Sequence, residues 1–107
     1  MTGCTVDKSS VLSVSSPNRA YNLSVEAWDV GATSGISYHV DLTKYGFLAG
    51  ETQEEVAIFD KVFYEGDIQI KWTSATEVTI FAPGARVFKH LKTVTFGQHQ
   101  IRLILKT

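Results

Sequence analysis

Apolar residues recur at every second position through most of this chain, and that period restricts it to strands. The sets are Leu12 and Val14; Tyr21, Leu23, Val25 and Ala27; Ile36, Tyr38, Val40 and Leu42; Ile68, Ile70 and Trp72; Val78 and Ile80; and Ile101, Leu103 and Leu105. Successive side chains of a strand point to opposite faces, so each set can line one buried face while its partners meet water. Turn-forming residues punctuate the runs: Ser16-Pro17-Asn18, Gly31 to Gly35, Tyr45-Gly46, Glu65-Gly66-Asp67, Ser74-Ala75-Thr76, Pro83-Gly84 and Gly97. The pattern predicts an all-β fold, a small antiparallel sandwich or barrel of seven to eight strands.

Two segments are ambiguous. In Glu51 to Phe63, Thr52 and Glu55 stand at capping-box spacing, and Val56, Phe59 and Phe63 share one helical face, which admits a short helix near 53–62. The alternation Val56, Ile58, Val62, Tyr64 admits a strand instead, and the β-branched and aromatic content favours it. Between Arg86 and Phe96, the residues Val87, Phe88, Leu91, Val94 and Phe96 follow neither period.

A chain of 107 residues supports one domain, which at this size buries roughly two thirds of its unfolded surface. We expect a tether over 1–10 and a single β-domain over 11–107. Ten basic and eleven acidic side chains, net charge -1, provide no basic stripe for nucleic acid and no polybasic patch for anionic lipid. No apolar run approaches the roughly twenty residues of a spanning helix. Lys106 and Arg19 read as edge protection, and a monomer is expected.

Chemical signals are sparse. His39, His90 and His99 lie far apart in sequence, and no spacing pairs two of them as metal ligands beside a carboxylate. His39, between Tyr38 and Val40, is expected to point to solvent. Gly31-Ala32-Thr33-Ser34-Gly35 superficially resembles a nucleophile elbow, but its serine is off-centre and no helix pattern follows. Glu65 and Asp67 are read as solvated turn carboxylates. The spacing reveals no set of nucleophile, base and orienting group, so we expect no enzyme and no cofactor. Trp28 falls on the face opposite Tyr21, Leu23, Val25 and Ala27. There, either a second layer or the Arg86–Phe96 segment covers it, or it offers a contact to a partner together with Gly31, Thr33, Ser34 and Gly35.

Several motifs in order carry a resemblance. Ser16-Pro17-Asn18-Arg19-Ala20-Tyr21, then Asp29-Val30-Gly31-Ala32-Thr33-Ser34, then Tyr64-Glu65-Gly66-Asp67-Ile68-Gln69-Ile70-Lys71-Trp72 and Glu77-Val78-Thr79-Ile80 resemble a family of small bacterial lipoproteins and secreted β-domains of unknown function. The similarity runs from about Val11 to Pro83 and departs at Arg19-Ala20 and Val30. It implies a bacterial envelope location. Thr2-Gly3-Cys4 fits the end of a lipoprotein signal, making Cys4 the expected acylation site, with the apolar part of that signal upstream in the natural precursor. The expected function is non-enzymatic binding of a protein or envelope component. The alternative is a soluble cytoplasmic inhibitor or immunity-type protein that blocks a larger partner.

Overall fold

The computed structural model describes residues 7–29, 35–46 and 50–107. Among them nine strands form: β1 (Asp7–Ser15), β2 (Tyr21–Asp29), β3 (Ile36–Gly46), β4 (Gly50–Asp60), β5 (Gln69–Ser74), β6 (Glu77–Phe81), β7 (Arg86–His90), β8 (Thr93–Phe96) and β9 (His99–Lys106). One 3-10 turn, Glu65–Asp67, interrupts them. A five-stranded sheet in the order β1-β2-β3-β4-β7 faces a four-stranded sheet in the order β5-β6-β9-β8. The all-β sandwich is as expected, with one or two strands more than the turn count suggested. The Arg86–Phe96 segment supplies both β7 and β8, one to each sheet, which is why no single period fits it.

The core is made by the alternation. Leu23 and Val25 of β2, Val40 and Leu42 of β3, and Val56 and Phe59 of β4 meet Val78 and Ile80 of β6 and Ile101 of β9, all fully buried. Each such side chain contributes roughly 1.5–3 kcal/mol when taken out of water. Tyr21 of β2 stacks on Phe96 of β8, ring centroids 5.9 Å apart, joining the two layers. Trp72, expected in the core, is only half-buried. Its indole Nε1–H instead donates to the Val14 carbonyl at 2.9 Å and ties the second sheet to β1.

Two features differ from the sequence expectation, each for a physical reason, and one ambiguity is resolved. In 51–63 the favoured strand reading holds as far as Asp60, where β4 ends, and a bulge puts Val56 and Ala57 together opposite the stretch Val40–Asp41, so both are buried. That doubling, rather than a helical turn, produced the mixed spacing. The tether does not extend to residue 10, because β1 begins at Asp7 and pairs Lys8 with Trp28 and Ser10 with Glu26. Backbone pairing needs no apolar side chain, and a bulge at Val11 shifts the alternation that begins at Leu12. The strands are not all antiparallel, since β6 and β9 run parallel. Their connection leaves for β7 in the other sheet and returns through β8, a crossover of the length parallel pairing demands.

The β1–β2 turn is held by local side-chain bonds. The Asn18 side chain accepts from Ser16 Oγ at 2.7 Å and from the Ala20 amide at 3.1 Å, while the left-handed residue is Arg19, with φ of 60°. A left-handed residue with a Cβ costs roughly 1–2 kcal/mol, and glycine removes that cost at an entropic penalty of about 0.5–1 kcal/mol. Arg19→Gly is therefore expected to raise stability by about half to one kcal/mol, read as a higher urea midpoint at unchanged slope.

Candidate functional site

The outward face of the five-stranded sheet carries an organised polar cluster. The registers set Lys8, Trp28, Ser37, Asp60 and Arg86 in one row across it, and Ser10, Glu26, His39, Ile58 and Lys89 in the next. Trp28 lies across the diagonal onto His39, ring centroids 3.7 Å apart and planes 20° apart. Its Nε1–H donates to Glu26 at 2.6 Å, and the Lys8 ammonium sits 4.1 Å from the indole centroid. Neither the second sheet nor the Arg86–Phe96 segment covers Trp28, contrary to that reading; Lys8, Glu26 and His39 do. His39 in turn does not reach freely into solvent, its side chain being only 11 % exposed beneath the indole.

His39 joins a line of three polar groups. Its Nδ1 lies 2.9 Å from Glu55 Oε2, and its Nε2 lies 3.2 Å from Ser37 Oγ. In the neutral ring Nδ1–H donates to the carboxylate and Nε2 accepts from the hydroxyl. The His39 bond holds the Glu55 carboxyl below the usual glutamate range, aided by Lys89, whose ammonium is 3.6 Å away. Asp41, on the same face, is pushed the other way, chiefly by burial and then by Glu55 and Glu26. Sequence spacing does not reveal this set because Glu55 arrives from the neighbouring strand.

A hydroxyl, an imidazole and a carboxylate in line form the order of a nucleophilic triad. Ser37 sits in β3, paired with Trp28 on one side and Asp60 on the other, so the ladders occupy the backbone beside it. Donors for a developing oxyanion supply much of the rate in acyl transfer, and paired sheet amides are not free to provide them. The arrangement instead fixes the His39 ring and, through stacking, the orientation of Trp28.

At one corner of the molecule the surface becomes apolar. Phe63 is 83 % exposed, Tyr64 68 % and Phe88 58 %. All three belong to the region where β4 ends and β7 begins. The Phe63 amide donates to the Pro83 carbonyl at 3.0 Å, and its ring lies over Gly84. Gly84 has φ of 83°, and a Cβ there would meet the Phe63 ring at 2.8 Å, so only glycine suits that turn. Arg86 makes a two-pronged bond to Asp60, at 3.1 and 2.9 Å, and its guanidinium stands 4.9 Å from the Phe88 ring centroid. Below this corner Tyr38 donates to Glu65 at 3.1 Å, anchoring the 3-10 turn to a buried ring stacked on Phe59. The sequence signal for the corner was present but misplaced: Phe63 and Tyr64 were assigned to the periodic faces of a helix or strand, whereas β4 stops at Asp60.

Of the residues named from sequence as partner contacts, Gly31, Thr33 and Ser34 lie outside the described residues, as does Cys4. Gly35 has φ of 75° and open space where a Cβ would stand, so conformation, not close packing, calls for glycine there. Trp28 lies in the row that ends at Asp60 and Arg86, three strands away from Arg86 across the same face. Comparison of the chain with family models, curated proteins and solved structures gives no match.

Proposed function

We propose that this protein is a non-enzymatic binding domain of the bacterial envelope, anchored through acylated Cys4, that recognises a protein partner with its aromatic corner. The observation that carries the reading is the exposure of Phe63, Tyr64 and Phe88 together, beside the row that holds Trp28. Folded monomers rarely leave several large aromatic side chains open at one place, and interface centres are enriched in them. The polar start of the sequence and the Thr2-Gly3-Cys4 match support the anchor.

The test is made in the natural full-length precursor. Wild type is expected in the membrane fraction with added acyl mass, because two or more buried chains hold a protein at a bilayer nearly permanently. Cys4→Ser is expected in the soluble fraction with the β-domain still folded. Phe63→Ser combined with Phe88→Ser is expected to stay anchored but to lose the protein that crosslinks to wild type in intact envelopes. If wild type and Cys4→Ser both appear in the cytosol at one mass, the anchor reading fails and the soluble inhibitor takes its place. If the double variant keeps the crosslink, the corner is not the contact.

A further inference from the structure

Strand β9 has a neighbouring strand on both sides only at Arg102. On one side β6 accompanies it from Arg102 to Lys106, while on the other β8 covers only His99 to Arg102. Lys106 therefore stands at the half of β9 that has β6 on one side and, among the described residues, no strand on the other. Opposite the rest of β9, the chain that precedes Thr93 leads away to β7 in the other sheet. The Lys92 carbonyl accepts from the Leu103 amide at 2.8 Å, and His90 Nε2 donates to the Leu103 carbonyl at 3.1 Å. The Arg102 amide donates to Thr76 and the Lys106 carbonyl accepts from Ala82, which fixes the even-numbered backbone groups of β9 toward β6. By alternation, the N–H and C=O of Leu105 face the lane that β8 has left.

That lane is a cavity of about 480 Å³ between His90 and Lys92 on one side and Arg102 to Leu105 on the other. Its floor is apolar at Leu103 and Leu105, and its charged lining residues, Lys92 and Arg102, are both cationic. Arg102 has only a loose, exposed contact with Glu77, Nη1 to Oε2 at 3.6 Å. An unpaired stretch of strand is a template for an added one, with main-chain bonds supplying affinity and alternate side chains specificity.

Charge fixes the direction of such a strand. Continuing in the lane and direction of β8, antiparallel to β9, a peptide runs from beside Lys106 toward Lys92, so its C-terminal end arrives between Lys92 and Arg102. The opposite direction brings an amino terminus to the same two cations. We propose that this half-lane binds the free C-terminal end of an extended peptide, added antiparallel to β9, with its terminal carboxylate held by Lys92 and Arg102. The penultimate residue stands opposite Leu105 and shares its inward face, so an apolar side chain is preferred there. The inference is independent of the aromatic corner and of the anchor.

The probe is an N-acetylated pentapeptide of alternating threonine and valine, valine penultimate, with a free carboxylate, titrated into the folded protein and followed by amide NMR. The expected result is a shift and exchange protection of the Leu105 amide. Conversion of the carboxylate to an amide is expected to weaken binding about tenfold, as loss of a charge-assisted contact does. Lys92→Glu and Arg102→Glu are each expected to weaken the carboxylate form about tenfold and to leave the amide form nearly unchanged. Both positions are exposed, and an unchanged spectrum away from the lane verifies folding. Equal affinity for the two peptide forms, an unmoved Leu105 amide, or no binding at millimolar peptide overturns the proposal.

Discussion

Replacing Phe59 by alanine is expected to remove roughly 3–5 kcal/mol of stability, the cost of truncating a large buried aromatic side chain that its surroundings cannot refill. Phe59 is fully buried at the pairing of β4 with both β3 and β7, and its ring stacks on Tyr38 at 5.5 Å between centroids. The loss therefore combines transfer, cavity and ring-pair contributions. A domain of this size holds roughly 5–15 kcal/mol in total, so the variant falls close to the folding threshold. The measurement is urea unfolding followed by both tryptophan fluorescence and far-ultraviolet circular dichroism, with coincident transitions and a lowered midpoint. A midpoint within the error of wild type means that the two sheets do not close over this position.

The second large effect is alkaline. Burial, then the bond to Glu65 and its charge, push the Tyr38 phenol from 10.0 up to about 12. Between those values the unfolded chain has released the proton while the folded chain still holds it, so the folded state binds more protons there. Stability is then complete below pH 10, falls as pH rises through that window, and levels off above it. The integrated loss is roughly 2–3 kcal/mol. Tyr38→Phe is expected to cost about 1 kcal/mol at neutral pH through the lost hydrogen bond, and to flatten the alkaline limb. Urea midpoints measured at intervals from pH 9 to pH 12 check this. Parallel alkaline limbs for wild type and Tyr38→Phe exclude the assignment to this phenol.

The two residues sit on the same buried seam, which bears on function as well as stability. Tyr38 holds the 3-10 turn through Glu65, and that turn follows directly on Phe63 and Tyr64. The exposed corner is thus tied to the buried core through Tyr38. A binding surface held in one conformation loses little freedom on association, which favours affinity at a given contact area.

Single residues mark what each level of description controlled. Leu23, Val25, Val40, Ile80 and Leu103 were legible as core from spacing alone, because alternation reports directly which side of a strand avoids water. The turn at Ser16-Pro17-Asn18 was legible too, since its chemistry is local, with its left-handed position at Arg19. The spacing around Val56 was ambiguous, because a bulge inserts one residue and reverses the apparent face without any local mark. His39 was misjudged for a different reason. Its cover comes from Trp28 on β2 and its anchor from Glu55 on β4, and no pattern within β3 specifies either.

The sequence by itself determined that the chain forms two-faced strands, where most of them turn, and which side chains meet in the core. Only the tertiary structure decided that β9 inserts parallel to β6, that β8 ends early beside it, and that Ser37, His39 and Glu55 fall in line under an indole. The physical reason is range. Side-chain alternation and turn preference act within a few residues, whereas strand order, direction and cross-strand contacts are settled by which surfaces close most completely against one another across the whole chain.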